Sequence, residues 1–192
     1  LISTETIGAT LGQEALDRGV RAGIIGLLLV AAFMILWYRV NGLLAVLSLG
    51  IYVSLMLAIF KLLPVTLTAA GMAGFILSVG MAVDANILIF ARLKEEMRQT
   101  DNMHDAIGHG FSRAWASIRD SNLSSIISAL ILFWFGTSLI KGFALTLAIG
   151  VLISMLTAIS ITRTFLLAIG VHHTNRLNRF LFGSGFHLTA KS

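Results

Sequence analysis

The most constraining feature of this sequence is a series of long apolar runs, at 22–38, 43–63, 66–91, 123–140 and 143–168, separated by charge or turn residues. A hydrocarbon core about 30 Å thick takes roughly 20 mainly apolar residues per helix, and these runs have that length. Composition agrees. Apolar residues make up 57% of the chain and charged residues 12%, about half the usual ~25%. A soluble chain of this size could not hide so much apolar surface, because about a third of what it exposes unfolded stays wet after folding. The solvent is therefore lipid. This excludes a cytosolic enzyme, a nucleic-acid binder despite the net charge of +5, and, with no cysteine, a secreted disulfide scaffold.

The expected fold is all-α, a polytopic bundle of five transmembrane helices. Residues 1–21 read as the end of an extracytoplasmic region and a lead-in helix from about Gln13, 22–170 as the transmembrane domain, and 171–192 as a cytoplasmic tail. The chain starts with Leu rather than Met, carries no signal peptide by pattern, and reads as a fragment. The pair Lys141-Gly142 between the last two runs demands an antiparallel hairpin. Of the 14 basic residues, Arg18, Arg21, Lys61 and Lys141 fall on one side. The other ten fall on the side of the 39–42 turn, the 92–122 loop and the C-terminus. The positive-inside rule puts that richer side in the cytoplasm and the N-terminal end outside. Within the loop, Ile107, Phe111, Ala114, Trp115 and Ile118 recur at helical spacing. This predicts an amphipathic helix over 104–119 lying along the inner interface, with a cytoplasmic hairpin folded against the bundle ends as the alternative.

Asp84 is the one acidic residue inside any of the five runs. At ~1.5 Å rise per residue it lies ~12 Å from Arg92, too far for a short carboxylate to reach water. Inserting it costs ~2.5–3.5 kcal/mol, so it should face protein or a water-filled path, and such residues mark ion pathways. Protonated, it is a neutral hydrogen-bond donor; ionised, it needs a cation or a basic partner. On a helical wheel Gly71, Gly74, Ser78, Ala82 and Ala85 form one small-residue stripe, which lets helices approach closely. Asp84 stands nearly opposite, with Gly80 one turn before it. Asn86, near the stripe's edge, suits an interhelical hydrogen bond. Arg163 suits snorkelling to the inner headgroups or pairing with Asp84. Ser124, Ser125 and Ser128 suit local backbone or helix–helix bonds. The five His residues lack ligand spacing, so no metal is expected. With neither a nucleotide-binding glycine loop nor a nucleophile beside a base, no enzymatic activity and no cofactor are expected.

The run from Gly80 to Glu96, GMAVDANILIFARLKEE, resembles a transmembrane motif of the SecD family of bacterial protein-export subunits. So do Ala106-Ile107-Gly108-His109-Gly110-Phe111, Ser117-Ile118-Arg119-Asp120-Ser121-Asn122 and 136–144, in the same order. The resemblance covers 4–170. One departure is Ala91, where the family usually has Glu before the Arg. SecD proteins have six transmembrane helices and a large external domain after the first, so the resemblance implies that this chain holds helices two to six. It further implies membership of the resistance-nodulation-division superfamily and work with SecF and the SecYEG channel, with YajC as a further candidate partner. The gradient of protons or sodium would be used to pull polypeptide outward, and Asp84 would be the coupling carboxylate. The other charged partners of that family lie on the SecF half. Two competing readings are a small-molecule exporter of the same superfamily and a passive membrane scaffold. Such exporters usually pair Asp residues on the corresponding helix, whereas Val83 and Ala85 flank Asp84. The scaffold predicts that Asp84→Asn is silent.

Overall fold

A computed structural model describes residues 9–63, 68–100 and 102–170. The expected tail at 171–192 and the first eight residues lie outside them. Every element among the described residues is helical: α1 Ala9–Leu62, α2 Ala69–Glu96, α3 Met103–Phe135, α4 Ser138–Thr157, a π-turn Ala158–Thr162, and α5 Arg163–Gly170. Among the described residues three stretches are long and apolar enough to cross a membrane, Leu16–Leu62, Ala69–Glu96 and Ser138–Ala168.

α1 is two arms joined at Arg39, whose φ of 51° and ψ of −118° break the helix. A side chain with a Cβ at positive φ is held there at a cost of about 1–3 kcal/mol, so surrounding structure must fix it. Gly42 supplies part of that structure: any Cβ there would collide with the Met34 carbonyl, so only glycine lets the second arm turn back over the first. The directions of the arms follow from their partners on α2. Gly19 abuts Met72, Gly23 abuts Ile76 and the Tyr38 ring packs on Phe90, so arm 9–38 runs parallel to α2. Tyr52 meets Ser78 and Phe60 meets Phe75, so arm 40–62 runs back.

α2 starts at Thr68, whose side chain accepts from the Gly71 N–H at 3.1 Å. Its small stripe is buried throughout: Gly71, Gly74, Ser78, Ala82 and Ala85. The partner is α4 with the π-turn that follows it, aligned in parallel through Thr146 at Gly71, Gly150 at Ser78 and, in the π-turn, Thr162 at Asn86. A Cβ at Gly74 would stand 2.6 Å from the Phe143 carbonyl, so the backbones touch where the sequence offers no side chain.

Two sequence expectations need correction. The last two runs are not separated at Lys141-Gly142. α3 ends at Phe135, Gly136 caps it in an extended conformation, and α4 begins at Ser138, so Lys141 and Gly142 lie within the first turns of α4. A lysine can continue a membrane helix where its stem reaches the interface, and the cap residues Gly136-Thr137-Ser138 mark the true turn. Of the run expected at 123–140, residues 123–135 form the second half of α3 and 138–140 open α4. Residues 104–119, the expected amphipathic helix, lie in the first half of α3, one continuous helix with 123–135 rather than a separate element. Nor does its apolar face lie on lipid. Ala106, Ile107, Phe111, Ala114 and Ile118 are buried in one core with Phe90, Leu93 and Leu166, and Ala114 is 0% exposed. At 33 residues α3 is ~50 Å long, well beyond a ~30 Å hydrocarbon core. Its first half buries the apolar face against the Glu96 end of α2 and against α5.

Candidate ion-coupling site

The exposed positions of α2 are as regular as the buried ones. Ala73, Ile76, Leu77, Gly80, Asp84 and Ala91 are exposed, and they occupy the side away from the small stripe. At 100° per residue Asp84 sits near the middle of that face. Nothing would touch a Cβ on Gly80 within 4 Å, so the turn before the carboxylate is open. Beside it a cleft of about 170 Å³ runs between α2 and α3, with Ser121, Asn122 and Ser125 opposite Asp84. Ser121 and Ser125 donate their hydroxyl protons to the Ile118 and Ser121 carbonyls, both at 3.1 Å, which leaves their oxygens able to accept from a protonated carboxyl, while the Asn122 amide N–H is of a type that can donate to an ionised one.

The packed face of α2 is held by polar latches. Tyr52 and Ser78 hydroxyls lie 2.7 Å apart, and Ser78 also donates to the Phe75 carbonyl at 2.7 Å. The Thr146 hydroxyl reaches the Gly71 carbonyl at 2.9 Å. Thr162 donates to Asn86 Oδ1 at 2.8 Å and lies 3.0 Å from Ser48 Oγ. Asn86 thus makes the interhelical bond its position suggests.

Arg163 does not meet Asp84. It is exposed, with its guanidinium 5.5 Å over the Phe111 ring, and among the described residues no ion pair joins it to the acid. Ser125 and Ser128 bond back to the carbonyls of Ser121 and Ser124 at 3.1 and 3.0 Å. Gly71 and Gly74 serve packing. Sequence reasoning passed over Ser121 and Asn122 as site residues. Their signal was an i, i+1, i+4 polar set with Ser125 at the start of an apolar run.

At the Glu96 end of α2, Arg113 binds Glu96 at 2.6 Å and approaches Glu95 at 3.6 Å, while Arg92 binds Glu95 at 2.8 Å. The hydrogen bond to Glu96 holds the Arg113 guanidinium above its ordinary range. His104 and His109 are exposed. Among the described residues no group of His, Cys, Asp or Glu could hold a metal ion.

The family described as protein export membrane protein SecD/SecF, C-terminal, matches residues 1–172. A protein translocase subunit SecD from Thermobaculum terrenum is 56% identical over 190 residues, 96% of this chain and 36% of that protein. The SecD of Synechocystis is 53% identical over 169 residues, 88% of this chain and 36% of its own. The chain thus spans about a third of the length of these relatives. A crystal structure of SecDF from Thermus thermophilus, a translocon-associated membrane protein, superposes with a TM-score of 0.85 at 36% identity, over 89% of this chain and 24% of that one. With a family match over nearly its whole length, the chain belongs to the SecD/SecF family of protein-export membrane proteins and corresponds to the C-terminal membrane part of SecD.

Proposed function

We propose that this chain is the part of a SecD that couples an ion gradient to protein export, with Asp84 as the coupling carboxylate. The observation that carries the reading is the placement of Asp84 at the centre of the unpacked face of α2, beside the open turn at Gly80. A structural acid would be expected among the latches on the packed face. Five membrane crossings follow from this reading: the two arms of α1, α2, the second half of α3, and α4 with α5. The basic residues then place the Glu96 end of α2 and the C-terminus in the cytoplasm and the N-terminal end outside, in a bacterial inner membrane.

The exposed face of α2 repeats at intervals of three and four residues, which suits one more helix packed along it. We assign that place to the SecF half, which would bring its own charged groups to the carboxylate. Ionised Asp84 favours an arrangement with a cation or basic group beside it; protonated Asp84 no longer does. Each protonation event therefore shifts the balance between two contacts of the halves, and a shift of rigid halves can move an attached external domain that handles polypeptide emerging from SecYEG. Protons or sodium ions could both drive such a cycle.

The test is translocation of a secretory precursor by the full-length SecD–SecF pair with SecYEG, with and without a gradient. Asp84→Asn keeps shape and hydrogen bonding but fixes neutrality. Loss of gradient stimulation with normal assembly supports the reading. An unchanged response transfers the weight to the scaffold reading.

A further inference from the structure

The inward face of α4 follows an ordinary α-helical period through Leu147, Gly150, Val151, Ser154 and Ala158, all buried. That period would next put Ile161 and Thr162 on the two flanks of the face and Phe165 at its centre. Instead Ile161 and Phe165 are half-buried, while Thr162 is 0% exposed and Leu166 1%, an inward face turned by one residue. The reason is the π-turn at Ala158–Thr162, which takes in one residue more than an α-turn and rotates everything after it. Its product is a polar contact in the middle of an apolar core. Thr162 donates its one hydroxyl proton to Asn86 Oδ1, so the 3.0 Å contact with Ser48 requires Ser48 to donate to Thr162. Three helical segments, from α1, α2 and the π-turn, are thereby tied at three buried side chains.

Asn86 is two positions after Asp84, and two positions on an α-helix are 200° apart. Whatever holds Asn86 inward therefore aims Asp84 outward. Ala82 and Ala85 beside it have no polar atoms and little shape to resist rotation, and the larger buried side chains Val83, Ile89 and Phe90 add apolar packing but no directional bond. The latch at Ser78 is nearly two turns away.

The geometry points to Thr162 and Ser48 as positioning residues for the carboxylate: the π-turn turns the Thr162 hydroxyl fully inward onto Asn86, and the Ser48–Thr162–Asn86 chain fixes the rotation of α2 that presents Asp84 at its open face. This rests on the coupling role proposed for Asp84, though the latch itself can be tested apart from it. Thr162→Val removes the hydroxyl at nearly constant shape; Thr162→Ser keeps it.

Two measurements distinguish the latch from the coupling role. In full-length SecD expressed without SecF, a single cysteine is placed at Asp84 or at Ala82, about 160° away on the packed face. Its reaction with a membrane-permeant maleimide is then followed. The latch predicts a strong preference for position 84, which Thr162→Val weakens roughly five-fold, the population change that one ordinary hydrogen bond controls, and which Thr162→Ser retains. An unchanged preference in Thr162→Val overturns the proposal. Should that variant fail to accumulate, Asn86→Ala breaks the same bond from the other end, and an unchanged preference there overturns the proposal equally. The second measurement is gradient-stimulated translocation by the full SecD–SecF pair carrying the native Asp84. Thr162→Val should lose most of the stimulation while still copurifying with SecF, and Thr162→Ser should restore it. A lost labelling preference with an undiminished gradient response would uphold the latch and overturn the coupling role of Asp84.

Discussion

Thr162 and Asn86, 76 positions apart in sequence, are joined by a buried hydrogen bond of 2.8 Å, and that bond lies on the opposite side of α2 from Asp84. The helix is thus divided lengthwise. One side is small residues and polar latches packed on α4 and on arm 40–62, and the other is an exposed, mainly apolar seam that carries Asp84 midway along it and Glu95 in its last turn. Export of a charge into lipid is unfavourable, and under the proposed coupling role the seam is where the working contact with the SecF half forms.

Gly74 and Gly80, six positions apart on one helix, should respond oppositely to the same substitution. Gly74→Ala drives a Cβ to 2.6 Å from the Phe143 carbonyl and into the Thr146 hydroxyl, an overpacking that costs about 1–3 kcal/mol. Gly80→Ala meets nothing within 4 Å. Thermal unfolding of the full-length chain in detergent should show a lower Tm for the first and an unchanged Tm for the second.

The link between α2 and α3 depends on Arg113. Glu96 is nearly covered, with its side chain 11% exposed, and Arg113 is its partner at 2.6 Å. Arg119, by contrast, pairs with its sequence neighbour Asp120 in water. Arg113→Ala should therefore lower the Tm more than Arg119→Ala, since it strands a largely covered carboxylate. The exchange Arg113→Glu with Glu96→Arg should recover part of the loss. Equal effects of the two alanine variants would contradict this ranking.

Orientation and the burial of α3 can be read together by cysteine labelling, because these 192 residues contain none. Asn102→Cys should react with an impermeant reagent only from the cytoplasmic side and Lys141→Cys only from outside. Ser112→Cys should react from the cytoplasmic side, whereas Ala114→Cys should resist both water-soluble and lipid-soluble reagents, since its side chain is enclosed by protein. Reaction of Ala114→Cys with a lipid-soluble reagent would restore the interfacial reading of this helix.

The runs that form α1, α2 and α4 were legible because membrane helices announce themselves by length and apolarity, and Asp84 because ionisable residues are rare within such runs. The two faces of α2 followed from its 3.6-residue period, since Gly, Ala and Ser stand out from Ile and Leu. Other features left weaker traces. Lys141 looked like a loop and is helical, because its charge marks an interface as readily as a turn. An apolar stripe such as Ile107-Phe111-Ala114-Ile118 says that a face is buried but not whether lipid or protein covers it. The π-turn before Arg163 shifts the inward face by one residue inside a stretch where nearly every residue is apolar, so the change of phase had no contrast to show it. Thr162 therefore passed unnoticed, and Arg163 was considered as a partner of Asp84 when it lies over Phe111.

The central claim, that Asp84 changes its protonation state as the complex works, is tested most directly by infrared difference spectroscopy of the full-length SecD–SecF pair in membranes as the driving gradient is applied. The account predicts a change in the carbonyl band of a protonated carboxyl that shifts in Asp84→Glu and is missing from Asp84→Asn. The same band, undiminished in Asp84→Asn, would contradict it.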